Sequence, residues 1–159
     1  MSTATGETTS RKFEVANRIL REGYGDGAWH GPDLKAALAD VTETTAFWRA
    51  GPERHNIAEI ALHHAYCARN VRAKLTGIDP APFVLEGDDW FPLNGPSVLP
   101  WAAIRDLVAR EQDGLMTDLS GELAAALPES EQFDLVLGIT CHAVYHAGQI
   151  QLIKRLADR

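Results

Sequence analysis

Residues 138–155, GITCHAVYHAGQIQLIKR, hold the most informative pattern in this sequence of 159 residues. His142 and His146 are four positions apart, so on a helix their imidazoles lie on one face, one turn apart, within reach of a single ion. Apolar residues continue at helical spacing on both sides of this pair. The pattern therefore predicts a long last helix from about Ser130 to the C-terminus.

Helical spacing of apolar residues predicts three further long helices and two shorter helical pieces. Their expected positions are 12–22, 33–41, 42–48, 55–75 and 99–119. Asn56 can cap the second long helix with Glu59 three residues later, and Gly77 ends it. Since no alternating strand pattern lasts beyond four residues, the sequence predicts an all-α antiparallel bundle of four main helices.

The remaining segments set the expected domain organisation. Residues 78–96 are rich in proline with scattered glycine and aspartate, which predicts a long irregular connection between the second and third long helices. Residues 1–10 are small and polar, and we expect a flexible lead-in there. At roughly 100–200 residues per domain, residues 11–159 are expected to form a single helical domain.

The composition excludes several classes of protein. With 45% hydrophobic and 23% charged residues, the chain is typical of globular proteins rather than disordered or fibrous ones. Its formal net charge of -7 argues against nucleic acid and anionic membranes as partners. Two cysteines, no signal peptide and no apolar run of roughly 18 residues together predict a cytoplasmic protein.

Two imidazoles do not complete a metal site, so we expect a third ligand from another helix. The 55–75 segment supplies His63 and His64, which are adjacent, so that only one of them can face the histidine pair. Three imidazoles leave a coordination position for water or substrate, as in catalytic rather than structural metal sites. Spacing alone leaves open a second interpretation, in which these histidines are hydrogen-bonded core residues, and no His-Glu-x-x-His signature is present.

Two polar residues could support the histidines, and each has a plain structural alternative. Glu59 lies one turn before His63 and could accept the N–H of that ring, although exposed glutamates are common on helices. Gln149 lies on the same stripe as His142 and His146, where it could orient a ligand or simply pack.

Further candidates are the cysteines and part of the long connection. Cys67, one turn after His63, and Cys141 are conceivable soft ligands, although small core filler is the simpler role. Residues 88–90 lie where a lid over a metal ion would be, and a role as loop anchors is equally compatible with the sequence.

The motifs resemble those of a known family. Residues 138–155 are similar to the C-terminal helix of the DinB-like family, the damage-inducible proteins of bacteria. The run His55-Asn-Ile-Ala-Glu-Ile-Ala-Leu-His63-His64-Ala-Tyr resembles its second helix, and residues 88–93 resemble the crossover of one branch. The resemblance extends over roughly residues 12–157. It implies a four-helix bundle with up-down-down-up topology, whose long crossover falls at 78–96, and frequent homodimers.

The resemblance also implies a divalent metal ion held by three histidines, which correspond to His63, His142 and His146. His64 occupies a position that is usually apolar in the family. The superfamily includes bacillithiol transferases and mycothiol-dependent maleylpyruvate isomerases. The leading hypothesis is therefore a metal-dependent transferase that binds Zn or Ni and uses a low-molecular-weight thiol and an electrophile as partners.

Two other functions remain open at this point. The protein could be a non-catalytic stress-response metalloprotein that acts as a dimer or interaction module, with a closed ligand shell around the ion. It could also be a metal-dependent hydrolase, which would turn over substrate without added thiol. The sequence does not distinguish water from a thiol as the nucleophile.

Overall fold

The computed structural model describes residues 4–25, 27–120 and 127–159, with side chains from Glu14 onward. These residues contain six α-helices and no β-strand, which confirms the prediction of an all-α fold for the described part of the chain. The helices are α1 (Ala4–Gly23), α2 (Leu34–Ala39), α3 (Glu43–Phe47), α4 (Ile57–Thr76), α5 (Trp101–Ser120) and α6 (Glu129–Ala157). None of the described helices is long and apolar enough to cross a membrane.

The start of α1 differs from the prediction. The helix begins at Ala4 rather than near residue 12, so residues 4–10 belong to α1, and the flexibility expected of the lead-in at 1–10 stays a prediction. Residues 1–3 of that predicted lead-in lie outside the described residues. Once a helix is nucleated, each added residue contributes one more hydrogen bond, so α1 can begin before the residues whose apolar spacing predicts it.

Both ends of α4 form as predicted. Asn56 Oδ1 accepts a hydrogen bond from the Glu59 backbone N–H at 2.8 Å, and Asn56 Nδ2 donates to the Leu93 carbonyl at 2.7 Å. Gly77 ends the helix with a φ of 68°, a left-handed conformation that glycine adopts without steric cost. Asn56 therefore fixes the start of α4 and attaches the segment between α4 and α5 to it.

The N-terminal half of α4 lies at the centre of the core. This helix packs against both α5 and α6, and α1 packs against α6. Every residue of α4 from Ile57 to Ala65 is buried, including Glu59, His63 and His64. Because a buried ionisable side chain is costly without hydrogen-bond partners, these three residues must be satisfied inside the protein.

The segment between α4 and α5 has no regular secondary structure and covers α4 with its aromatic residues. Phe91 and Leu93 are buried in the core. The Tyr66 ring contacts those of Phe83 and Phe91, with centroids 5.2 and 5.4 Å apart. Asp89 has a φ of 66°, uncommon for a residue other than glycine, and this turn brings its main chain to the histidines of α4.

Candidate metal centre

The His142 ring lies close to two other histidines, one on α4 and one on α6. His142 Nε2 on α6 lies 3.0 Å from His63 Nε2 on α4 and 3.1 Å from His146 Nε2 on α6. Nitrogen ligands on a tetrahedral zinc ion are about 3.3 Å apart, given Zn–N bonds of about 2.0–2.1 Å. The separations of His63 and of His146 from His142 are close to the separation that two ligands of one ion need, and the choice of these three residues as a ligand set stays a prediction.

Oxygen atoms hold the outer nitrogens of two of these rings. His63 Nδ1 lies 2.8 Å from the Asp89 carbonyl oxygen and 3.1 Å from Asp89 Oδ1. His146 Nδ1 lies 2.6 Å from Gln149 Oε1. Since these oxygens accept hydrogen bonds, each neutral ring donates from Nδ1 and directs an unprotonated Nε2 towards His142. Metal-binding histidines are typically oriented in this way.

His64 lies on the other side of the His142 ring. Its Nδ1 atom is 3.2 Å from His142 Nδ1, and its side chain is completely buried. Of the two adjacent histidines on α4, His63 reaches the Nε2 atoms and His64 reaches the opposite nitrogen. The choice of His63 as the third ligand is compatible with this arrangement and stays a prediction.

Cys67 provides a second candidate set of ligands. The ligand atoms of His63, Cys67 and His142 all lie within 4.8 Å of one another, so this group could hold a metal ion. Burial, and then the charge of Asp89, raise the pKa of the Cys67 thiol to about 11. The thiol is therefore protonated at neutral pH unless a metal ion displaces the proton. Cys141, the other cysteine, is exposed rather than core filler.

Burial lowers the pKa of three imidazoles, those of His64, His142 and His146. For His142 the pKa falls to about 4 through burial and then through the neighbouring His146 and His63. For His64 burial is again the largest cause, followed by His142, and the pKa falls to about 3. Burial also lowers the pKa of His146. These rings are therefore neutral at pH 7, which is the protonation state that binds metal ions.

The metal-free protein is expected to lose stability as the pH falls below about 6.5. In the unfolded chain His64 and His142 take up protons near the ordinary value of 6.5, but in the folded protein only near pH 3 and 4. Between these values the unfolded state binds more protons, so the free energy of unfolding decreases as the pH decreases. Urea unfolding in the presence of a chelator, at several pH values in this window, measures the effect.

The His142→Ala variant is the control for this pH dependence. It lacks one of the two groups, so its free energy of unfolding should depend less steeply on pH than that of the wild type. Equal slopes for the two proteins would contradict the assignment to the histidine cluster, because carboxylate titration is common to both proteins.

The loop before α5 covers one side of the cluster. The Trp90 ring stacks on His63 with centroids 4.0 Å apart and on His55 at 3.8 Å. Tyr66 donates a hydrogen bond of 2.8 Å to Asp88 Oδ1, which anchors the same loop. Residues 88–90 therefore act as anchors and also contact a candidate ligand, which reconciles the two interpretations of this segment.

Glu59 does not have the role predicted for it. The sequence suggests that it accepts the N–H of His63, but that nitrogen faces Asp89 instead. Glu59 forms an ion pair with Arg49 and accepts hydrogen bonds from the Leu93 backbone N–H at 2.7 Å and from His55 at 3.0 Å. Although burial opposes ionisation, these partners hold the pKa of Glu59 below its usual range. Arg49 has no sequence signal for this role, because the contact depends on a turn ten residues before Glu59.

A surface groove of about 570 Å³ lies apart from the histidines. Two arginines that line it are already partnered. Arg72 binds Glu111 at 2.8 Å and Asp118 at 2.7 Å, and Arg69 lies over the Phe83 ring at 5.6 Å. None of the clustered histidines lines this groove, so it is not part of the candidate metal centre.

Comparisons of the chain with protein-family models, with curated proteins and with solved structures found no match. In its described part, the protein is characterised by an all-α fold and a buried histidine cluster.

Proposed function

We propose that this protein is a cytoplasmic DinB-like metalloprotein in which His63, His142 and His146 hold one Zn or Ni ion. In this proposal the long helices form a four-helix bundle with up-down-down-up topology, and the 78–96 connection is its crossover. The observation that carries the proposal is the approach of two Nε2 atoms to His142 Nε2 at 3.0 and 3.1 Å. The outer nitrogens of those two rings face oxygen acceptors, which directs their lone pairs inward.

The proposed activity is transfer of a low-molecular-weight thiol to an electrophile. The resemblance of residues 55–66 and 138–155 to the DinB-like family supports this class of reaction. A divalent ion on three neutral imidazoles keeps an open position and lowers the pKa of a thiol, so that a thiolate is available at neutral pH.

The protein's own residues contribute orientation of the ligands and exclusion of water. The Asp89 carbonyl and Gln149 Oε1 orient the His63 and His146 rings. Trp90 excludes water from one face of His63. Asp89 Oδ1 lies 3.1 Å from His63 Nδ1 and its side chain is 56% exposed, so this carboxylate helps the carbonyl to orient the His63 ring while it stays in contact with solvent.

Metal analysis and a thiol-transfer assay test the proposal directly. Protein purified without a histidine tag, then loaded with Zn or Ni, should contain one equivalent of metal. With bacillithiol, mycothiol or glutathione and monochlorobimane as the electrophile, the conjugate should form faster than with thiol alone. The His142→Ala variant should give only the background rate.

The other outcomes separate the alternatives. Turnover of ester or amide substrates by the loaded protein without thiol would favour a metal-dependent hydrolase. One equivalent of metal with no turnover under either condition would favour a non-catalytic metalloprotein. No bound metal after reconstitution would overturn the proposal, and the histidines would then be core residues.

We also propose that the protein forms a homodimer. Phe133 and Leu137 lie four positions apart on α6, one helical turn, and each is 41% exposed. Exposed apolar residues on one helix face favour a partner surface. Light scattering coupled to size-exclusion chromatography should give twice the chain mass of 17.4 kDa, and a Phe133→Glu/Leu137→Glu double variant should elute as a monomer.

A further inference from the structure

His64 is a buried histidine that is not among the proposed ligands. Its ring is completely buried on α4, and its Nδ1 atom lies 3.2 Å from His142 Nδ1. The side chain of Gln112 from α5 also interacts with His64. Gln112 is itself 1% exposed. His64 therefore has a polar neighbour from α6, the half-buried His142, and another from α5, the buried Gln112.

Two atoms in this group of three side chains lack a hydrogen bond in the present geometry. His64 Nε2 and Gln112 Oε1 are buried, and neither meets hydrogen-bond geometry with any described group. An unsatisfied buried polar atom is costly, and buried polar atoms are nearly always paired. Since Gln112 Oε1 can only accept and a neutral histidine carries one N–H, a proton on His64 Nε2 satisfies both atoms with a small adjustment of the amide.

This assignment fixes the other protons in the group. If His64 carries its proton on Nε2, its Nδ1 atom is an acceptor. His142 Nδ1, which faces that atom, must then be the donor, and His142 Nε2 has no proton. That leaves an unprotonated Nε2 on His142 facing those of His63 and His146, three lone pairs that repel one another unless a cation lies between them.

We propose that His64 and Gln112 are positioning residues that set the tautomer of His142, so that its Nε2 atom is available to a metal ion. The relay runs from His142 Nδ1–H to His64 Nδ1, and from His64 Nε2–H to Gln112 Oε1. The purpose of this relay rests on the proposed function, but the tautomer itself is a property of the metal-free protein as well. Neither residue contacts the ion.

The opposite relay has a distinct proton pattern. In it the Gln112 amide donates to His64 Nε2, His64 donates to His142 Nδ1, and His142 carries its proton on Nε2. That pattern places a proton between His142 Nε2 and the Nε2 atoms of His63 and His146, but it leaves Gln112 Oε1 without a donor and blocks one of the three inward nitrogens. The two relays therefore differ at an observable position, the protonated nitrogen of His142.

Nitrogen-15 NMR of the full chain labelled at histidine distinguishes the relays. In the metal-free wild type at neutral pH, we expect His142 to be protonated at Nδ1 and His64 at Nε2. In His64→Leu, which removes the acceptor, His142 should become a mixture of tautomers. Protonation of His142 at Nε2 in the wild type, or an unchanged tautomer in His64→Leu, would overturn the proposal whether or not the protein binds metal.

Metal affinity provides the second measurement. Competition titrations with Zn should show about 10–100-fold weaker binding for His64→Leu and Gln112→Leu, with one site still present, as expected for partners that orient ligands. His64→Gln retains an acceptor and should bind Zn more tightly than His64→Leu. With Co²⁺ as a probe, the weakened variants should keep the wild-type coordination spectrum at saturation.

The two measurements separate the failure of this proposal from that of the proposed function. A wild type that binds no Zn overturns the metalloprotein proposal, while the NMR result still decides the tautomer. Wild-type affinity in both leucine variants, with Zn bound to the wild type, overturns the positioning role alone. If His64→Leu does not fold, Gln112→Leu and His64→Gln carry the same test.

Discussion

Replacement of His142 by alanine is expected to remove the bound metal ion while leaving the helices folded. His142, like His63, belongs to both candidate ligand sets, the three histidines and the His63–Cys67–His142 group. Its removal leaves at most two ligands in either set, too few for a stable zinc site. Metal content by mass spectrometry should fall from one equivalent to none, and circular dichroism should report unchanged helix content.

Matched variants identify the third ligand. If His146 is the ligand, His146→Ala should weaken zinc binding by more than about 100-fold, since partners outside the ligand shell alone contribute about 10–100-fold. Cys67→Ser should then bind as the wild type does. The reverse result would assign the site to Cys67, and Co²⁺-loaded protein would then show a thiolate charge-transfer band.

His30→Ala is the control for non-specific binding to imidazoles. This exposed histidine contacts the Glu22 carbonyl at 3.0 Å and lies outside the cluster. Its loss should leave metal content unchanged. Stoichiometric metal in His142→Ala, with the same content in the wild type, would contradict both ligand sets.

The elements of the fold that depend on local chemistry could be predicted from the sequence. Apolar spacing predicts the helices to within a few residues, except at the start of α1. Asn56 caps the start of α4 and Gly77 caps its end, as expected, because a cap depends on residues within one turn. The spacing of His142 and His146 places both rings on one helix face for the same reason.

The parts of the site that the sequence does not predict depend on contacts between distant segments. His63 bonds to the main-chain oxygen of Asp89, which no side-chain pattern encodes and which requires a positive φ. Glu59, which the sequence allows as an acceptor for His63, binds Arg49 instead, because Arg49 reaches it from another turn. The group of His142, His64 and Gln112 depends on how α5 is rotated against α4, which helical periodicity alone does not determine.

Removal of the Glu59 carboxylate is expected to destabilise the protein more than any other single charge change considered. Its side chain is 3% exposed and binds Arg49, the Leu93 backbone N–H and His55. Glu59→Ala leaves a partly buried guanidinium and a buried N–H without these acceptors. Breaking a buried ion pair by removing one partner costs about 3–5 kcal/mol, so we expect a loss of that size in the free energy of unfolding.

The same carboxylate gives a defined pH dependence. Because its pKa in the folded protein is below the ordinary value of 4.5, its contribution to stability is present above that pH and is lost as the pH falls below it. Urea unfolding of wild type and Glu59→Ala should therefore differ most near neutral pH and converge in acid. Glu53→Ala, at an exposed position in the preceding turn, should change the free energy of unfolding by less than about 0.5 kcal/mol.

The effect of Glu59→Ala on metal binding shows whether Glu59 supports the loop that covers His63 or binds the ion itself. Glu59 holds Leu93 and His55, and His55 stacks on Trp90, which in turn stacks on His63. The variant should therefore increase the solvent exposure of Trp90, seen as a red shift of tryptophan fluorescence, while it retains one equivalent of zinc. Loss of zinc without loss of stability would contradict this arrangement, because it would require Glu59 to act on the ion directly rather than through the loop that covers His63.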